Sequence, residues 1–136
     1  MSMGDVEPAL MSAADELETA YPTAWENAEA FTPPADAAWM AVFFIPSTMV
    51  PSSIGDKGVD QWVGILQIDL NYPRGSGKAQ LMDDTNTIHA QFKPGKKFKS
   101  GTQEVLVTGL SRSNGRFVDA YYRVSFSVTW LAHISR

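Results

Sequence analysis

Gly75-Ser76-Gly77-Lys78 is the stretch of this chain closest in residue type to a phosphate-binding loop. Such a loop needs glycine six residues before its lysine and Ser or Thr directly after it. Tyr72 and Ala79 stand at those places, so the stretch reads as a glycine turn with Ser76 as a helix N-cap. With no cysteine in the chain, metal ligands must come from His and carboxylates. His89 and His133 fall on different elements, and no His-x-His or His-x-x-x-His spacing occurs. Asp83 and Asp84 are adjacent on an expected helix, about 100° apart around its axis. They cannot share a proton as a catalytic carboxylate dyad does, and a solvated face is expected for both. Ser125 and Ser127 have no His and acid placed by a motif, which leaves no triad. Asp69 and Arg123 share the polar face of the expected sheet, giving a structural ion pair or a pocket acid–base pair. Lys93, Lys96, Lys97 and Lys99 interleave with Phe92 and Phe98 in the manner of a nucleic-acid patch. On an acidic chain they read better as a solvated loop or a subunit contact. Residue chemistry therefore points to no enzyme, no cofactor and no metal site.

Composition agrees. The 136 residues suit one domain; 44% hydrophobic and 19% charged residues are globular proportions. Without cysteine there is no disulfide framework, Fe–S cluster or thiol nucleophile. The strongly apolar run from Ala37 to Ile45 falls far short of the ~20 residues of a membrane span. The N-terminus carries acids where a secretory signal carries Lys or Arg. These features predict a soluble protein, made and used inside a cell. The net charge of −4 hides a division: residues 1–56 hold nine acids and no Lys or Arg, and residues 57–136 hold six acids and eleven bases. Such blocks neutralise each other within a monomer or meet between copies.

The elements that must position these residues are legible in their periodicity. Val6, Leu10, Ala13, Ala14 and Leu17 form one stripe of a helix expected over Asp5 to Ala20, with Pro8 in its first turn. A short extended stretch follows from Trp25 to Phe31. Trp39 to Ile45 reads as a central strand, and Pro46, Pro51, Gly55 and Gly58 predict a loop of about a dozen residues after it. That loop carries Met49, Val50 and Ile54, apolar side chains that are costly to leave in water. On the strand Gln61 to Tyr72, Trp62, Leu66, Ile68, Leu70 and Tyr72 share one face with Gly64. Gln67, Asp69 and Asn71 share the other with Val63 and Ile65. A helix is expected from Gly77 to Phe92 with Leu81, Thr85, Ile88 and Phe92 inward, stopped by Lys93-Pro94-Gly95. A strand over Gln103 to Leu110 and a turn at Ser113–Arg116 lead to the last strand. There Tyr122, Val124, Phe126, Val128, Trp130 and Ala132 alternate with polar residues. The order predicts an α+β fold: a mainly antiparallel sheet of four to five strands with two helices packed on one face.

Three stretches together carry a family resemblance. They are Ala24-Trp25-Glu26-Asn27-Ala28-Glu29-Ala30-Phe31-Thr32-Pro33-Pro34 leading into the apolar strand; Gly64-Ile65-Leu66-Gln67-Ile68-Asp69-Leu70 with Pro73, Gly75 and Gly77 after it; and the long alternating C-terminal strand. As an ordered set they resemble the tail-terminator (tail-completion) proteins of tailed bacteriophages and prophages. Glu26 stands where that pattern has proline. The resemblance implies one domain over residues 1–136, a virion structural protein and a homo-hexameric ring. That ring caps the head-proximal end of the tail tube, stops its polymerisation and joins the tail to the neck or connector protein. DNA passes through the lumen without specific binding, no membrane is involved, and the protein is made in the host bacterial cytoplasm.

Under that resemblance Met49, Val50, Ile54, Lys96, Lys97 and Lys99 are candidate contacts with a neighbouring subunit or the tube. Gln67, Asp69, Arg123 and Ser125 are candidates for an interface or the lumen wall. Two alternatives stand beside it: another neck, head–tail joining or tube-related structural protein, and a small-ligand binding module on a curved sheet. The last would draw its pocket from Asp69 and Arg123 with Trp62 or Trp130.

Overall fold

A computed structural model of the chain describes residues 3–17, 21–26, 31–34, 37–75 and 78–135. Among these residues two helices and seven strands follow one another. They are α1 (Met3–Asp15), β1 (Thr23–Trp25), β2 (Trp39–Pro51), β3 (Val59–Pro73), α2 (Ala79–Gln91), β4 (Lys97–Ser100), β5 (Gln103–Arg112), β6 (Arg116–Val118) and β7 (Tyr121–Ser135). The strands form one sheet in the order β1-β2-β3-β7-β5-β4, with β6 also paired to β7. The α+β class holds, but the sheet is larger than four to five strands and it is mixed. β1 runs parallel to β2, whereas the other pairings are antiparallel. The added strands are short. β6 spans three residues and β4 four, too few to show a period of two, and β1 lies at Thr23–Trp25, meeting the extended stretch expected from Trp25 to Phe31 only at Trp25.

The largest departure from expectation lies in β2, which continues through Pro46 to Pro51 where a loop was expected. The register shifts between Pro46 and Thr48, so a bulge absorbs the extra residue. Proline offers no N–H and is tolerated on edge strands and at bulges. The connecting turn shrinks to residues 52–58. It is closed by the Ser52 N–H to the Val59 carbonyl at 2.9 Å and by the Val59 N–H to Ser53 Oγ at 2.7 Å. β2 and β3 thus make one long hairpin whose outer half, the arm, is backed by β7 up to Ser135.

The core sits on the face where the expected alternation of β3 and β7 places Leu66, Ile68 and Leu70 with Val124, Phe126, Val128 and Trp130, all buried. The stripes of both helices join them: Val6, Leu10, Ala13 and Ala14 from the first with Leu17 just past its end, Leu81 and Ile88 from the second with Phe92 at its C-cap. Each fully buried aliphatic or aromatic side chain contributes about 1.5–3 kcal/mol. Gly64 is required by this packing. A Cβ there would lie 2.5 Å from both the Ile45 carbonyl oxygen and the Trp130 ring, and Trp130 stacks on Phe44 at 5.3 Å.

Helix α1 begins two residues earlier than expected, which puts Pro8 in its second turn, and ends at Asp15. Residues 18–20, over which it was expected to continue, lie outside the described residues, as do 27–30 of the expected extended stretch. Helix α2 starts at Ala79 with Lys78 at the cap and no side-chain cap bond; Ser76, the expected N-cap, and Gly77 also lie outside. Among the described residues no helix is long and apolar enough to cross a membrane.

Candidate assembly surfaces

The two faces of the sheet differ because strand side chains alternate. Helices and core cover one face. The other carries Gln67, Asp69 and Asn71 from β3 and Arg123, Ser125, Ser127 and Thr129 from β7. Arg123 does not pair with Asp69. In the ladder it stands opposite Asn71, while Asp69 stands opposite Ser125. Arg123 Nε accordingly donates to Asn71 Oδ1 at 2.7 Å, and Asp69 Oδ1 accepts from Gln67 Nε2 at 3.0 Å. The Ser113–Arg116 segment closes over this end: Arg116 Nη2 donates to Ser125 Oγ at 3.0 Å and Ser125 N–H to Ser113 Oγ at 3.0 Å. Asp69 and Ser125 are buried as a result, at 5% and 9% exposure. They support the sheet from within, and Gln67, Ser127 and Thr129 remain accessible.

Toward the arm the same face turns apolar. Ile45 lies opposite Ile65, Thr48 opposite Val63, and Val63 opposite Leu131. Phe43, Ile45, Met49 and Val50 are exposed on β2, and Ile54 is fully exposed at the turn. Met49, Val50 and Ile54, grouped from sequence, lie in one hairpin, on β2 and its turn. Beyond Val42, where β1 stops, the Glu26 carboxylate accepts the Phe44 N–H. Glu26 thus extends the cover of the β2 edge past the last paired residue.

The lysines occupy the opposite edge. Lys97 and Lys99 project from β4, and Lys99 pairs with Glu104 of β5 at 3.3 Å. Lys96 Nζ donates to Gln91 Oε1 at 3.2 Å and lies 5.5 Å from the Phe98 ring centroid. Arm and lysines therefore form two surfaces separated by the width of the sheet.

One polar cluster was not anticipated. Asp84, expected in solvent, is 3% exposed. Its Oδ2 accepts from Tyr72 Oη at 2.6 Å and Tyr21 Oη at 2.8 Å, and its Oδ1 from Gln80 Nε2 at 3.2 Å. Burial, then the hydrogen bond and charge of Asp84, push both phenols above the ordinary tyrosine range. The spacing held a signal: Asp84 is three residues after Leu81 and four before Ile88, on the inward stripe.

His89 and His133 are both exposed, on α2 and β7. Among the described residues no group of three or more His, Asp and Glu is placed to hold a metal. Trp130 lies in the core with Trp62 packed against it, on the face away from Asp69 and Arg123. The residues considered for a ligand pocket are thus divided between the two faces. Recesses of about 390 and 350 Å³ open elsewhere, one between the helices at Leu17 and Gln91, the other beside β4, β5 and β7.

Comparison with known proteins adds what geometry alone does not supply. A family model described as phage tail terminator protein matches residues 5–130. Among curated proteins none matches. Among solved structures, one superposes with a TM-score of 0.70 over 94% of this chain and 96% of that chain at 24% sequence identity. At that identity the likeness concerns the fold.

Proposed function

This chain belongs to the phage tail terminator family, a family of phage structural proteins, and we propose from that premise that it closes the growing end of a tail tube as a ring. Copies associate head to tail into a hexameric ring at the head-proximal end of the tail. The ring stops tube polymerisation and presents a surface to the neck or connector protein. DNA passes through its lumen, and a net charge of −4 opposes phosphate binding there. The observation that carries this reading is the match of residues 5–130, nearly the whole chain, to one family. The exposed apolar arm supports it, because a monomer has no use for Val50 and Ile54 in water.

The native mass of the purified protein across a concentration series tests the reading. A closed ring is expected. If the protein stays monomeric, it must still bind the ends of tail tubes and halt their growth, and a monomer without that activity overturns the proposal.

A further inference from the structure

We propose that neighbouring copies meet edge to edge, the β2 arm of one copy seated in the recess beside β4, β5 and β7 of the next. This rests on the ring reading above and adds which surfaces touch.

The two surfaces differ in shape, the arm on the β2 side of the sheet and the recess reaching from β7 to the β4 edge, and a head-to-tail contact that closes by rotation needs two such unlike surfaces. The arm is the knob, with Val50 at 52% exposure and Ile54 wholly in solvent. The recess, of about 350 Å³, is lined by Leu106, Leu131 and Ala132 and rimmed by Lys97, Glu104 and His133. Knob and recess also stand at one level along the strands. A ladder row runs from Thr48 to Val63, Leu131, Leu106 and Lys97, crossing β2, β3, β7, β5 and β4. Met49 and Val50 directly follow the first member of that row.

The recess holds an incomplete polar group. Gln103 is 2% exposed, and its Nε2 donates to the carbonyls of Glu104 and His133, both at 3.0 Å. Two carbonyl partners fix the amide orientation, since only the nitrogen can donate. Its Oε1 is then buried without a partner among the described residues. A buried acceptor in that state is held at a cost until a donor arrives. An edge strand brings backbone N–H donors, and among the described residues β1 pairs with β2 only through Val42.

Charge selects a second copy as the occupant. Past Val42 the β2 edge carries the Glu26 carboxylate on the Phe44 N–H, and the hairpin end carries Asp56 and Asp60 on either side of Lys57. The recess edge carries Lys97 and Lys99, with Lys93 and Lys96 just before them. Each copy thus offers an apolar edge with a small excess of carboxylates and a recessed edge rich in lysine, which complement each other between copies.

The absence of cysteine makes the contact directly testable. Val50→Cys and Lys97→Cys are introduced singly and together, and a short thiol-to-thiol cross-linker is added. The double variant should give a ladder of covalent oligomers. The two single variants should give a covalent dimer when mixed and none when separate. Met49→Cys with Glu104→Cys, both on exposed sites, repeats the test where the first pair disturbs folding, read by circular dichroism. Val50→Asp should move the assembly midpoint about tenfold or more upward in concentration. A ring by native mass without cross-links from either pair overturns this contact and leaves the ring reading intact. Cross-linking of Val50→Cys to itself marks a symmetric contact and overturns it as well. Cross-linked chains that neither close into rings nor bind tube ends would support the contact and overturn the ring. A monomer that fails to cross-link, with or without tube ends, overturns the contact.

Discussion

Asp84 shows what single residues decide in this molecule. A carboxylate on the inward stripe of α2 is costly to bury unless its oxygens are occupied, and here two phenols and one amide occupy them. The cluster pins α2 to Tyr72 on β3 and to Tyr21, next to β1. Tyr72→Phe removes the shortest of these bonds from a charged acceptor, so the folded state should lose about 1.5–3 kcal/mol at neutral pH. The pH dependence reports on the buried phenol, whose proton is held first by burial and then by the bond to Asp84. The unfolded chain releases a tyrosine proton near its ordinary value of 10, while the folded chain holds the Tyr72 proton to higher pH. Above pH 10 the unfolded state therefore binds fewer protons than the folded one, and stability falls as pH rises. The Phe variant lacks that proton and should lose stability less steeply. Urea midpoints of both proteins from pH 8 to 11 check this; the gap should narrow above pH 10, and a constant gap would mean that Tyr72 is not held as a buried, protonated phenol. From sequence Asp84 looked solvated because it is charged and follows another acid. Its spacing from Leu81 and Ile88 was the better guide, since burial follows position on the helix.

At the scale of elements, legibility followed length and alternation. The strands β3 and β7 run for 15 residues each, and repetition of the two-residue period made both their faces readable. The helical stripes of α1 and α2 were equally plain. β2 was cut short at Pro46 because proline and the polar residues after it carry loop chemistry. The bulge that lets a proline sit in a strand depends on the partner's register, which no local window contains. β4 was hidden by its lysines, and β1 was placed too late in the chain because its bounds depend on pairing with β2. The consequence for the candidate surfaces is direct: Met49 and Val50 belong to a rigid, paired arm with Ile54 at its tip. A charge at the tip should then disturb association and spare the fold. Ile54→Asp should melt within about 0.5 kcal/mol of the parent, since the site is fully exposed. Its assembly should weaken, read by sedimentation at matched concentrations. Unimpaired rings would remove the tip from the contact.

For the whole molecule the question is which residues come together, and strand order answers it. Sequence grouped the arm residues with Lys96, Lys97 and Lys99, but the order β1-β2-β3-β7-β5-β4 sends them to opposite edges. Strand order is set by long-range pairing, so local pattern could not reveal it. The charge division was visible from the start, yet its direction across the sheet was not: β2 itself holds no charge, Glu26 covers its edge and Asp56, Lys57 and Asp60 follow at the hairpin end, whereas Lys97 and Lys99 stand on β4. If opposite edges meet between copies, association depends on attraction between exposed charges. Salt screens such attraction over about 8–10 Å at 0.1–0.15 M ionic strength. Raising the salt from low to near-molar should therefore weaken assembly and slow its rate, because charge steers encounter more than it holds the contact. Apolar burial of Val50 and Ile54 pulls the other way, since it is not weakened by screening. Sedimentation across a salt series resolves the two. A steep early loss followed by a plateau is expected, the plateau measuring the apolar part. Assembly that strengthens steadily with salt would mean that the charged edges do not face each other.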